Sequence, residues 1–246
     1  MRVGRSMTVS MTLALLTGCA HFPTDDESRD PLEPMNRVVY RFNDTFDRAL
    51  LKPAAKAYDK ITPRPVQTGV GNFFSNLNEP VVIVNDFLQG KGTQGASDAA
   101  RLLFNSTFGV LGLIDVATPM GHPKHDEDFG QTFAVWGAGE GWYLVLPLLG
   151  PSTVRDAAGL PPQYFLDPVV RHEEVRERNS LYALRTVDHR ARLLGASRVR
   201  DTAALDEYLF TRDAYRQHRE NLIYDGNPPA PRFEEDSGEE TPKTKP

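Results

Sequence analysis

A single cysteine, Cys19, stands in 246 residues, so no disulfide can form within the chain. Excess positive charge is also lacking: 28 lysines and arginines face 33 acidic residues, a net charge of −5, and a nucleic-acid role has no electrostatic footprint. A mean hydropathy of −0.42 excludes a polytopic membrane protein. The longest apolar segment, Leu102 to Ile114, is thirteen residues, whereas a spanning helix needs about 20. There is no GxSxG elbow, no HExxH and no P-loop, so hydrolase, zinc-protease and nucleotide chemistry have no motif to rest on. Alternating strand patterns are nearly absent.

The N-terminus accounts for the cysteine. Arg2 and Arg5 form a short positive region, and residues 7–16 (MTVSMTLALL) are weakly apolar. Leu16-Thr17-Gly18-Cys19 follows, with small residues leading straight into cysteine. This is similar to the bacterial lipobox, in which the cysteine is lipidated on sulfur, the chain is cut before it and the new amine is acylated. Residues 1–18 are then a signal peptide and Cys19 the lipid attachment site. Ala20, not Asp, follows Cys19, which by analogy with lipoprotein sorting favours the outer membrane. Maturation leaves 26 basic residues against 33 acidic ones, a net charge of −7.

Residues 19–30 are polar, lack periodicity and form a tether. Residues 226–246 hold five prolines, five acidic residues and one aromatic, Phe233, the composition of a disordered tail. Between these ends the periodicity is helical. Met35, Val39, Phe42, Phe46 and Leu50 form one stripe, with Pro34 suited to a first turn and Pro53 expected to end or kink the helix. Val66, Val70, Phe73 and Leu77 form a second, and Asn78-Glu79-Pro80 is read as a stop and a new start. Ser97 or Asp98 is expected to cap a helix running through residues 100–117. Two further helices are expected over 173–194 and 204–224. The reading is one all-α domain over residues 31–225.

The most apolar and glycine-rich stretch, residues 129–152, reads FGQTFAVWGAGEGWYLVLPLLGPS. Two short strands or an extended hairpin near 131–148 are the only β candidates. Gly137, Gly139 and Gly141 at alternate positions are expected to act as a hinge. Trp142 and Tyr143 have the amphipathic rings that favour membrane interfaces. Val145, Leu146, Leu148 and Leu149 present acyl-compatible surface. The expectation is a flexible apolar hairpin over residues 133–149; a buried loop in a water-soluble core is the alternative.

Polar clusters suggest little chemistry. His122, His125, Asp126 and Asp128 lie in HPKHDED, a run as charged as any solvated loop, so no metal is assigned. No cofactor is called for, and no nucleophile–base pair or paired acid and base emerges. Arg178, Arg185 and Arg192 recur every seven residues and fall within about 40° of one another on a helix. Arginine forks match phosphate oxygens. Pairing of Glu174 with Arg178 and of Asp188 with Arg192 along the helix accounts for them equally well.

The chain as a whole resembles the MlaA (VacJ) lipoprotein family. The resemblance rests on Leu-Thr-Gly-Cys at 16–19, Asp-Pro-Leu-Glu-Pro-Met-Asn-Arg at 30–37 and Tyr40 to Asn43. It continues in Asn78-Glu79-Pro80, residues 85–90 (NDFLQG), 104–107 (FNST), 112–117 (GLIDVA), 127–132 (EDFGQT) and 146–156 (LPLLGPSTVRD). It implies an outer-membrane lipoprotein that removes misplaced phospholipid from the outer leaflet and passes it to a soluble periplasmic carrier. The carrier then delivers the lipid to an ATP-driven complex in the inner membrane. The implied fold is a ring of helices in the periplasmic leaflet around an amphipathic channel, often associated with a trimeric porin. In such a channel the hairpin over residues 133–149 is expected to border the lipid path, and Arg178, Arg185 or Arg192 to meet a headgroup phosphate. A structural lipoprotein stabilising a porin or envelope complex is the competing reading, and a lipid-modifying enzyme the third.

Overall fold

The computed structural model describes residues 30–229; Cys19, the signal peptide, residues 19–29 of the tether and the tail from residue 230 lie outside the described residues. Helix α1 (Glu33–Phe46) has Pro34 in its first turn, where the missing N–H is not needed. It passes through one π-helical turn (Asp47–Leu51) into α2 (Lys52–Ile61). Pro53 is expected to end or kink the helix; α-helical bonding gives way just before it, and Pro53 sits in the first turn after the π-helical turn, whose wider hydrogen bonding absorbs it.

The expected break at Pro80 is absent. Helix α3 runs unbroken from Arg64 to Leu88 with Pro80 inside it. A proline removes its own N–H from the carbonyl four residues back, here that of Asn76. The packing of α3 along α4 (Gly92–Thr107) outweighs that loss. Helix α4 departs from expectation at both ends. It starts well before Asp98, which is buried inside it and accepts from His125 Nδ1 at 3.0 Å instead of capping. It stops at Thr107, ten residues short of the expected end. Val110, Leu111 and Gly112 all take left-handed backbone, and the Gly112 N–H bonds back to the Asn105 carbonyl at 2.8 Å. Such a reversal is how helices commonly end, and glycine is the residue that permits it.

A 3-10 turn (Thr118–Met120) and an extended segment lead to α5 (Phe129–Val135), capped by Asp128, whose carboxylate accepts from Gln131 N at 2.9 Å. The only described strands follow. β1 (Tyr143–Leu146) pairs antiparallel with β2 (Gly150–Thr153), placing Tyr143 opposite Thr153 and Leu146 opposite Gly150. The hairpin therefore lies later than expected: residues 133–135 belong to α5, and the turn falls at 147–149, not at the glycines. Thr153 caps α6 (Val154–Leu166), which the sequence reading did not foresee because Pro161 and Pro162 lie inside it. Helices α7 (Val175–Arg192), α8 (Leu194–Ala203) and α9 (Glu207–Ile223) complete the described chain, three where two were expected. A small aromatic core forms where α1, the hairpin and α9 meet: Tyr143, Val145 and Tyr208, flanked by Tyr40 and Tyr215.

Candidate functional site: an apolar exterior around a polar interior

Burial in this fold is inverted. Among the described residues, fifteen polar or charged side chains are buried against eleven hydrophobic ones. Water-soluble domains bury the reverse. Large apolar side chains face outward along most of the chain, including Phe42 and Leu50, Leu103, Phe108, Val110 and Leu111, Leu148 and Leu149, and Tyr164 and Phe165. Phe108 is 72% exposed and Leu149 71%. Exposed apolar surface on this scale marks contact with a membrane or a partner. No described helix is long and apolar enough to cross a membrane.

The interior is held by charge and hydrogen bonds. Arg101 on α4 is buried and forks between three elements. It donates to Glu79 on α3 at 3.0 Å, to Asp115 at 2.9 Å, and to Thr118 and the His122 carbonyl at 2.8 and 2.9 Å. Burial, followed by the charge of Asp98, pushes Glu79 up to about 7 in spite of Arg101. Asp115 is also partly buried, but bonds from Thr118 and Arg101 outweigh that and pull it down to about 2. Beside this cluster, burial and neighbouring Asp98 and Glu127 drive the Asp86 carboxyl well above its ordinary range. Glu127 collects Gln89, Lys91 and Gln94, each at 2.8 or 2.9 Å. At the other end, Arg219 on α9 joins Asp128 to Asp156, and Asp156 also accepts from Tyr215 at 2.6 Å. His122 pairs with Ser97 at 3.0 Å, His125 with Asp98, Asp126 with Lys124 at 2.7 Å and Asp128 with Arg219, and no group of described residues has the arrangement of a metal site.

The hairpin is pinned to α1 by two asparagines that the sequence reading quoted without assigning a role. Asn36 Nδ2 donates to the Tyr143 carbonyl, and its Oδ1 accepts from Val145 N, both at 2.9 Å. Asn43 repeats the device at the turn, donating to the Leu146 carbonyl at 2.9 Å and accepting from Leu148 N at 2.8 Å. Each side-chain amide acts as a peptide group of a missing third strand. Seven helical residues rise about 10.5 Å, and the two clamped sites are three strand residues, about 10 Å, apart, so the spacings agree. That common interval of seven was the signal in the sequence.

The expected hairpin residues separate into two groups. Gly137, Gly139 and Gly141 lie in the loop between α5 and β1, with positive φ at Gly137 and Gly141. Trp142 is half-exposed, but Tyr143 is fully buried in the aromatic core. Leu146 is half-buried, while Leu148 and Leu149 project from the turn. The three arginines of α7 differ from one another. Arg185 bonds Asp167 at 2.8 Å. Arg192 bonds Asp188 at 2.9 Å and the Gln67 carbonyl at 2.7 Å, lying across Gly71 where a β-carbon would strike it. Arg178 is half-buried, and its expected partner Glu174 makes no ion pair with it among the described residues.

A model of the MlaA lipoprotein family matches residues 28–222. The chain belongs to the MlaA lipoprotein family. It is 36% identical over 228 residues to the intermembrane phospholipid transport system lipoprotein MlaA of Escherichia coli (strain K12), covering 90% of this chain and 89% of that one. To the MlaA of Haemophilus influenzae it is 30% identical over 233 residues, covering 92% and 93%. A solved structure concerned with the structural basis for maintenance of bacterial outer membrane lipid asymmetry superposes with a TM-score of 0.68 at 31% identity. That match covers 80% of this chain and 99% of that one. The MlaA match spans the interior polar network, both asparagine clamps and the hairpin.

Proposed function

We propose that this protein is an outer-membrane lipoprotein that takes misplaced phospholipid from the outer leaflet and hands it to a soluble periplasmic carrier, so maintaining lipid asymmetry. The inverted burial carries the reading: a domain with apolar side chains outside, polar ones inside and no spanning helix suits immersion in one leaflet. The names of its relatives supply the cargo and the system. Lipidation at Cys19 anchors the chain, and a trimeric porin is the partner best able to cover part of its apolar flank. The hairpin, from the glycine loop to the 147–149 turn, borders the lipid path. Of the α7 arginines, Arg178 is the one positioned to meet a headgroup phosphate without first giving up an ion pair; Arg185 and Arg192 would have to exchange theirs.

Deletion of the gene should raise outer-leaflet phospholipid, measured by outer-leaflet acylation of lipid A or by surface-accessible phospholipid, and the full chain should restore the wild-type level. Cys19→Ala should fail to restore it. Unchanged surface phospholipid in the deletion strain would sink the transport reading and leave a structural role. Intact mass of membrane-extracted protein should show a chain beginning at an acylated Cys19.

A further inference from the structure

Between the middle of α3 and the end of α4 lies a half-open cavity of about 280 Å³. Its walls are Phe73, Leu77 and Pro80 from α3, Leu102 from α4, Leu111 from the left-handed turn and Pro168 from the loop after α6. Of the two polar residues of the lining, Asn76 donates through Nδ2 to Ser106 Oγ at 2.9 Å, and its Oδ1, though without a partner among the described residues, is buried and out of reach of a guest. An apolar space of this kind does not hold water well.

The cavity's setting says what does enter. Leu111 is both a wall residue and 67% exposed, so the mouth opens on the apolar turn at residues 108–114. On the same turn Phe108, Val110 and Ile114 are exposed, as is Leu103, the neighbour of Leu102 on α4. The turn is held open by backbone that apolar residues rarely adopt: Val110 and Leu111 have φ of 53° and 56°. Such conformations are strained, and persist where surrounding structure imposes them. A β-branched valine in the left-handed region is an unlikely choice for a mere connection, whereas it keeps Leu111 at the rim and its neighbours outside. The guest must therefore be apolar, slender and supplied from an apolar phase. Ligand pockets for whole small molecules begin at about 300 Å³, so this space accommodates the end of one chain and not a two-chain lipid.

We propose that this cavity is an acyl-chain site, receiving the terminal part of one fatty acyl chain of a phospholipid while the remainder lies along the apolar turn. The proposal rests on the phospholipid reading above and adds a place where cargo is gripped by one chain. A single-chain grip leaves the headgroup and second chain outside the cavity, so the site is indifferent to headgroup.

The test uses the full lipoprotein in vesicles of phosphatidylethanolamine and phosphatidylglycerol, doped with phosphatidylethanolamine carrying a diazirine near the end of one acyl chain. After irradiation, adducts are mapped by mass spectrometry. Adducts are expected on the recessed Leu77 and Leu102 as well as on the exposed Leu103 and Phe108. Leu77→Trp, which fills the cavity, should cut the Leu102 adduct about tenfold and leave Leu103 and Phe108 labelled, with helicity by circular dichroism confirming the fold. Labelling of Leu103 and Phe108 without Leu77 or Leu102 in the wild type would overturn the cavity site, whether or not the variant folds. So would undiminished Leu102 labelling in a folded variant. Either result leaves the transport reading standing, because that reading is judged by surface phospholipid in cells; failure there with intact cavity labelling removes the transport and keeps the site.

Discussion

Asn36 and Asn43 show how single side chains carry the geometry here. Asn36 is fully buried, so Asn36→Ala leaves the Tyr143 carbonyl and the Val145 N–H without partners. An unsatisfied buried group costs about 1–3 kcal/mol, and the pair should lower stability by about 2–4 kcal/mol. Asn43 is half-buried and water can replace part of it, so Asn43→Ala should cost about 1 kcal/mol while loosening the turn at Leu148. Thermal unfolding in detergent micelles compares the two; equal losses would mean that burial is not what separates them. Gly112 is the complementary case. Its φ is +89°, and a β-carbon there would collide with the Asn76 side chain. Gly112→Ala should therefore destabilise by more than the roughly 1 kcal/mol that left-handed strain alone imposes. The same melting experiment reads it, and a loss within 1 kcal/mol would show that Asn76 moves aside freely.

At the level of elements, the helical class, the first helix and the final helices were legible because their apolar stripes recur at helical spacing. What misled was reading prolines as punctuation. Pro80, Pro161 and Pro162 lie within helices, where neighbouring packing outweighs one lost bond each, and Pro53 lies in a first turn behind the π-helical turn that absorbs it. The end of α4 was illegible for the opposite reason: residues 108–114 are apolar enough to continue a helix, and only the left-handed backbone stops it. Tyr143 looked interfacial by type, yet it faces Tyr208 and Tyr215, contacts more than 60 residues distant in sequence. Hydrophobicity and residue type alone do not distinguish a side chain facing lipid from one facing the core. A disulfide joining the 147–149 turn to α1, built in a chain that retains Cys19, tests the hairpin as a moving part. If it moves, the closed bond should raise outer-leaflet phospholipid in cells, and reduction should reverse the effect. Low surface phospholipid with the bond fully formed would make the hairpin fixed packing.

On the scale of the whole molecule, the buried carboxyls tie stability to pH. A carboxyl in the unfolded chain ionises near pH 4. In the fold Glu79 keeps its proton to about 7, and Asp86 keeps its own well above the ordinary range, chiefly through burial. The folded chain thus binds more protons across this interval, and stability declines as pH rises through it. His189, held below its usual value by burial, acts in the other direction and fades out over about one pH unit above 6.5, so it is the carboxyl variants that isolate the carboxyls. The melting temperature should fall between pH 6.5 and pH 8, and the Glu79→Gln, Asp86→Asn double variant should flatten that slope. A slope unchanged in the double variant would place the pH dependence elsewhere.

The inverted distribution of apolar and polar side chains also reverses where the chain tolerates change. In a water-soluble domain the surface drifts and the interior is kept to hydrophobic residues of suitable volume. Here an outward Leu103 or Phe108 needs only to remain apolar, and leucine, isoleucine, valine, methionine and phenylalanine should be interchangeable. Arg101, Asn36 and Asp98 admit no such class of substitutes, because each satisfies several partners at once. A saturation library selected for function should therefore yield a hydrophobic alphabet on the outside and near-fixed polar letters within. Charge should be refused at the exposed positions and lost charge refused at the buried ones.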